Sequence, residues 1–306
     1  MLKLATAILA QQNFASFTDI AAAVGTALWA GDAAELDKLA SEYGSANAQD
    51  AAQSVEQGTA LRAELKHYSG GMFYYAGEWY WGVDRLYHLE QRFIELGVRK
   101  VSQPILIAPR PAIDAGELRD NGSLTFEIYP SLRSPYTALI FNRAVELAKE
   151  TGVKLVIRPV LPMVMRGVPA TREKGIYIFS DAVREANTLG LDFGHMADPI
   201  GEPVRQCYSL YPWACAQGKG TELLSAFLRA AFYDGVNTNN DSGLRQVVEN
   251  AGLSWLQAKQ IVGQEGWEDL LEENRLAMYG FGCWGVPSFR LLDREGKQIL
   301  ALWGQD

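Results

Sequence analysis

Gly285-Val286-Pro287-Ser288-Phe289 is a Val-Pro step that leads into a strand. X-Pro is the only peptide link with an appreciable cis population, and a cis proline is usually placed for a reason. Far upstream, Ser134-Pro135-Tyr136-Thr137 is a strand-to-helix junction with a hydroxyl at its tip. Leu124-Thr125-Phe126-Glu127-Ile128-Tyr129 reads as a strand. Pro135 suits the first turn of a helix, which runs to Thr151 on apolar Leu139, Ile140, Val145 and Leu147. Val153 to Val160 alternates less and reads as a buried parallel strand. Together they form a βαβ unit, right-handed by rule. A mostly helical stretch, about 163–280, comes next. Ser288 to Leu292 and Gln298 to Leu302 then make a hairpin across Asp293-Arg294-Glu295-Gly296. The pattern is an α/β sheet with a large helical insertion.

Residues 1 to about 67 read as helices. Ala27, Leu28, Leu36, Leu39, Leu61 and Leu65 recur at helical spacing, and Gly31, Gly44 and Gly58 punctuate them. The apolar start Met1 to Ala10 resembles a signal peptide, but the run is short and flows into an amphipathic helical pattern, so an ordinary helix is the better reading. Met72-Phe73-Tyr74-Tyr75 and Trp79-Tyr80-Trp81 flank Ala76-Gly77-Glu78 as a hairpin, and a helix follows from Arg85 to Leu96. Residues 98–122, with Pro104, Pro109, Pro111, Gly116 and Gly122, read as a linker.

Trp81-Gly82-Val83-Asp84, after the first hairpin, matches Trp303-Gly304-Gln305-Asp306 after the last. Upstream lie Ala27-Leu28-Trp29-Ala30-Gly31 and Ala231-Phe232-Tyr233-Asp234-Gly235. Agreement in element order favours a domain duplication over a chance match, at a separation too long for a solenoid. The expected organisation is a partial, degenerate copy at 1–97, a linker at 98–122 and a fuller domain at 123–306. The first copy lacks an opening βαβ unit, and the second stops where the first continues into a helix. A chain trimmed at both ends, or copies that complete one another, both satisfy that pattern.

The formal net charge of -8 argues against nucleic acid as a partner, and no apolar run reaches a membrane span. The three cysteines, Cys207, Cys215 and Cys283, form no CxxC pair, zinc spacing or disulfide framework. Reduced, buried or semi-buried thiols in a cytoplasmic, reducing compartment are expected. His67, His88 and His195 form no ligand spacing, so no metal is expected. The tryptophans are read as core or interface residues.

Ser134 stands where backbone N–H groups and the helix dipole favour an anion. A thiolate there has a lowered pKa, and a hydroxyl can add one hydrogen bond to it. The competing reading is an ordinary N-cap; Ser131 is the rival in the same loop. Pro287 would leave the Val286 backbone free to pair with an extended ligand, or be a plain edge-strand proline. Asp306, with Gln305, could hold an amino group, or cap a helix. Arg158 and Lys174 could take a carboxylate at the carboxyl ends of the strands, or be surface residues.

These residues, with Arg158-Pro159-Val160-Leu161 and Lys174-Gly175, resemble the 2-hydroxychromene-2-carboxylate isomerase group. That group is allied to the kappa-class glutathione transferases in the DsbA-like branch of the thioredoxin superfamily. The resemblance covers about 123 to 306, and in part about 1 to 97. It implies a thioredoxin-like core, with glutathione as co-substrate held by Val286, Pro287, Gln305 and Asp306 and its sulfur met by Ser134. It implies isomerisation through reversible thiolate addition, or transfer to an electrophile. A homodimer is left open. Departures are Pro162, Met163 and Val164 where glycines are usual, no asparagine in Met165-Arg166-Gly167-Val168-Pro169, Thr137 for a serine, no arginine after Asp306, and Gly70-Gly71-Met72 for Gly-Val-Pro in the first copy. A non-catalytic binding or scaffold module is the alternative, and a thiol-disulfide oxidoreductase is disfavoured without a CxxC pair.

Overall fold

The computed structural model describes residues 1–98, 100 and 106–305, apart from the Phe14 side chain. It divides into two compact units, Met1–Met72 and Phe73–Asp306.

The first unit is helical: α1 (Leu2–Ala10), α2 (Phe14–Ala30), α3 (Ala33–Tyr43) and α4 (Ala48–Glu64). Asn13, Asp32 and Asn47 cap α2, α3 and α4 through side-chain oxygens, each replacing a hydrogen bond the helix cannot make for itself. Ala5, Ile8, Ile20, Val24, Ala27, Leu36 and Leu39 recur at helical spacing and form its core. Trp29, expected in the core or at an interface, is 90% exposed.

The second unit opens with the hairpin β1 (Met72–Tyr75) and β2 (Glu78–Trp81). Its two-residue loop has Ala76 at φ +49° and Gly77 at φ +90°, the positive angles that a right-twisted hairpin needs. A 3-10 turn, Val83–Arg85, leads into α5 (Leu86–Glu95). The unit boundary at 72/73 thus differs from the 97/123 division suggested by the sequence repeat. The reason lies in side chains: Arg184 donates to the Trp79 carbonyl at 2.9 Å and Arg85 to Asp181 at 3.0 Å, tying hairpin and helix to the rest of the unit. Within the expected linker, residues 99 and 101–105 lie outside the described residues.

The main sheet has the order β4-β3-β5-β6, from β3 (Thr125–Tyr129), β4 (Lys154–Ile157), β5 (Ser288–Leu292) and β6 (Gln298–Trp303). β3 pairs parallel with β4 through α6 (Pro135–Thr151), and antiparallel with β5, Ile128 facing Phe289. β5 pairs antiparallel with β6. This is the expected βαβ unit plus hairpin. β4 is shorter and more exposed than the run Val153 to Val160 suggested. It is an edge strand with one neighbour, and Pro159 cannot donate to a ladder.

Between β4 and β5 lie a 3-10 turn, Met163–Arg166, and the helices α7 (Arg172–Thr188), α8 (Glu202–Ala216), α9 (Gly220–Phe232), α10 (Asp241–Asn250), α11 (Trp255–Ile261) and α12 (Glu268–Gly280). Leu210, Leu223, Leu224, Phe227 and Val247 are fully buried there and pack with Leu139 and Phe141 of α6 in one core. At about 25 cal/mol per Å² of apolar surface, this is the main driving force for the unit. Buried Tyr208 of α8 accepts from Leu132 N and donates to Val160 O, both at 3.2 Å. It pins the loops that follow β3 and β4, which is where the candidate site begins. Among the described helices, none is long and apolar enough to cross a membrane.

Candidate functional site

Ser134 caps α6: its Oγ accepts from Thr137 N at 3.1 Å, and its carbonyl accepts from Ala138 N at 3.0 Å. Thr137 returns the favour, its Oγ1 accepting from Ser131 N at 3.3 Å. The loop is therefore closed by side chains of both ends, and the N-cap reading of Ser134 holds. The hydroxyl proton points elsewhere: Ser134 Oγ donates to Val286 O at 3.4 Å. The Val286–Pro287 bond is cis. Capping and facing the Val-Pro step are thus compatible, because a hydroxyl accepts and donates at once. Ser131 is 1% exposed and lies behind the loop.

The end of β6 closes the same corner. Gly304 N donates to Pro287 O at 3.1 Å, and Arg143 of α6 donates to Gln305 O at 3.2 Å. The structure therefore brings Ser134, Val286, Pro287 and Gln305 together. Gln305 is 1% exposed, and its amide donates to Glu185 Oε2 at 2.6 Å. Asp306 lies outside the described residues. A ring group borders the corner. Trp284 and Trp303 stack at 6.0 Å, Trp81 meets Trp303 edge-on at 6.1 Å, and Lys174 Nζ lies 5.8 Å over Trp284. Trp284 and Trp303 are more than half exposed, so of the core and interface roles expected of the tryptophans these two do not fill the first. Gly285 has no room for a Cβ, because the Trp303 indole edge occupies that space.

Arg158 is placed differently. Its Nε donates to Glu127 Oε1 at 2.6 Å and its Nη1 to Asn274 at 3.3 Å. Arg290 takes the other Glu127 oxygen at 2.6 Å, and Tyr129 OH donates to it at 2.9 Å. Burial would raise the Glu127 pKa, but these donors outweigh it and hold the carboxyl below the usual range. Arg158 is thus engaged as a counter-charge within the sheet.

Sequence reasoning missed a second group of residues. On α7, Asp181 and Glu185 are both wholly buried. Asp181 accepts from Tyr136 OH at 2.8 Å and from Arg85 and Arg184 at 3.0 Å. Glu185 accepts from Gln305 and Arg110 at 2.6 Å and from Tyr87 OH, and His88 Nε2 lies 2.6 Å away. Burial pushes Glu185 up, but His88, Arg85 and Tyr87 prevail and hold it well below the carboxylate range. Burial and Asp181 push the Tyr136 phenol well up, so it stays protonated. A signal existed: Asp181 and Glu185 are one turn apart, in register with the buried Tyr177, Ala182 and Ala186 of an amphipathic helix.

Two cavities open on this unit, and neither is lined by Ser134, Val286 or Pro287. One, of ≈ 1130 Å³, lies over Phe126, Ile140, Leu147, Phe289 and Leu302 and does not reach Ser134. The other, of ≈ 530 Å³, lies beside Arg133, the chain neighbour of Ser134, and is walled by Met165, Thr171 and Ile200. Of the cysteines, Cys207 is buried, Cys283 partly so, and Cys215 exposed, the last against expectation. Burial raises the Cys207 and Cys215 thiols, leaving both poor nucleophiles. Among the described residues no His, Cys, Asp or Glu cluster is arranged to hold a metal ion.

Residues 125–306 match the DSBA-like thioredoxin domain family from the first residue of β3 to the end of the chain. The chain belongs to that family. The DSBA-like domain thus contains the Ser134 and Val286–Pro287 corner, while β1, β2 and α5 lie outside the matched span. Among solved structures, the domain is similar to a 2-hydroxychromene-2-carboxylate isomerase, at 20% identity and TM-score 0.48, covering 60% of this chain and 89% of that one. A probable DsbA oxidoreductase from Streptomyces coelicolor is similar at 20% identity and TM-score 0.46, covering 60% and 84%. The cytosolic disulfide reductase DsbM from Pseudomonas aeruginosa, solved with GSH, is similar at 19% identity and TM-score 0.42, covering 57% and 89%. No curated protein matches the chain.

Proposed function

We propose that this DSBA-like domain binds a low-molecular-weight thiol of the glutathione type between Ser134 and Val286, and uses its thiolate for isomerisation or conjugation. The observation that carries the reading is the Ser134 hydroxyl aimed at the Val286 carbonyl at 3.4 Å. A bound sulfur at the head of α6 takes that proton as its own hydrogen bond. The helix dipole stabilises the negative charge by about 0.3–1 kcal/mol. No CxxC pair occupies the position, and in this reading the reactive sulfur arrives with the ligand. In the same reading Val286 offers its backbone to an extended thiol peptide, Gln305 and Asp306 hold its amino group, and Lys174, near the Trp284 ring, meets a carboxylate. Arg158 contributes by holding the sheet.

The chemistry is balanced without an oxidant. The thiolate sulfur bonds to the electrophilic carbon of a conjugated system, and the π electrons move to its carbonyl oxygen. Rotation about the new single bond and expulsion of the thiolate return an isomer and the free thiol. With a leaving group on that carbon, the group departs with its electron pair and a thioether results.

A scaffold role is the second reading. Buried Gln305, occupied by Glu185, and Arg158, occupied by Glu127, favour it. Titration calorimetry with reduced glutathione separates the two: heat with saturation is expected, and none at millimolar ligand would leave only the scaffold. Disulfide exchange is the least supported activity. The proposal further takes residues 1–97, the helical block with its hairpin, as a partial copy of a duplicated domain, and the chain as cytoplasmic.

A further inference from the structure

Two carboxylates on a single helix each hold one wall of the corner. Asp181 accepts from Tyr136, two residues beyond Ser134, and Glu185 accepts from Gln305, next to the glycine whose N–H bonds Pro287 O. Burying a carboxylate costs several kcal/mol even when it is paired. Alanine or leucine would fill the same face of α7 at no such cost, so packing alone does not account for the pair. The counter-charges come partly from outside the family-matched span: Arg85 on Asp181, and Arg110 on Glu185. Trp81 also meets both Trp303 and Tyr177 of α7 here.

We infer that Asp181 and Glu185 are positioning residues that hold Tyr136 and Gln305, and with them the two walls of the thiol site, and that Arg85 and Arg110 are part of that site's support. The inference rests on the thiol-site reading above. Neither carboxylate touches the sulfur in this arrangement; each acts through the residue it holds. Loss of either contact therefore acts on ligand affinity and KM more than on kcat.

The test is calorimetry of the full chain with reduced glutathione, with circular dichroism confirming the fold. Gln305→Leu removes the amide that donates to Glu185, and Tyr136→Phe the hydroxyl that donates to Asp181. Each is expected to raise Kd on the order of tenfold, the worth of one hydrogen bond to a charged group. Glu185→Gln combined with Gln305→Leu is expected to be no weaker than the worse single variant, because the two share one interaction. KM for a test electrophile assay should follow Kd, with kcat changed less. If Glu185→Gln fails to fold, Gln305→Leu and Tyr136→Phe decide alone. Unchanged Kd in both overturns the inference while the thiol site stands. Additive losses in the double variant overturn it as well. A wild-type chain that gives no heat with millimolar glutathione overturns this inference together with the proposed function.

Discussion

Ser134 Oγ stands 3.4 Å from Val286 O, across 152 positions of sequence. The hydroxyl serves α6 with its lone pair and the Val-Pro step with its proton, so one side chain joins the first helix of the domain to the strand that follows the insertion.

Replacing Ser134 with alanine removes both interactions. Turnover with a chloronitrobenzene-type electrophile and glutathione is expected to fall at least tenfold, from loss of a hydrogen bond to a charged sulfur. Stability is expected to fall by about 1 kcal/mol, the usual cost of an N-cap. Steady-state kinetics with urea unfolding checks both. Full turnover in the alanine variant removes Ser134 from the chemistry.

Arg158→Ala leaves the buried Glu127 carboxylate with Arg290 and Tyr129 alone. We expect a loss of about 3 kcal/mol, in the range for breaking a buried ion pair. Urea denaturation measures it, and a loss below 1 kcal/mol would show that Arg158 is not a structural counter-charge.

Acid should destabilise the domain in a defined window. Glu127 and Glu185 have folded pKa values below their unfolded ones. A depressed carboxyl contributes stability that is present above the unfolded value, about 4.3, and is lost as pH falls from there through the folded value. The urea midpoint is expected to hold from pH 7 to about 5 and drop below about 4. A midpoint unchanged to pH 3 would contradict the assignment.

Gly285→Ala forces the Trp303 indole aside. Overpacking of this kind costs about 1–3 kcal/mol, and tryptophan emission should shift as Trp303 leaves Trp284. A variant with wild-type emission and stability would show that the corner yields freely.

Incubation with a reduced client protein in a glutathione redox buffer should produce no catalysed oxidation, since the cysteines lack a resolving partner in sequence. Efficient oxidation would make Cys283, close to Pro287, the residue to replace first.

Legibility followed the range of each interaction. The strand at Thr125–Tyr129, the helix from Pro135 and the last hairpin are local patterns of period and turn chemistry, and they fold where the sequence placed them. The Val153 to Val160 run was read too long because edge position depends on which strands lie beside it. The core-or-interface reading leaves the exposure of Trp284 and Trp303 open, because hydrophobicity says nothing about exposure at a sheet corner. Asp181 and Glu185 went unread as site residues because a carboxylate in an amphipathic helix looks like surface until its cationic partners, distant in sequence, are in place.

By itself the sequence determined the βαβ unit, the capping serine before Pro135, the Val-Pro entry to β5 and the lack of a cysteine pair, because backbone propensity and residue chemistry act over a few positions. Only the tertiary structure decided that Ser134 meets Val286, that Arg158 belongs to Glu127, and that Gln305 belongs to Glu185. A buried charge or amide takes whichever complementary group the packed core brings within hydrogen-bond reach, and that choice is made by the fold as a whole.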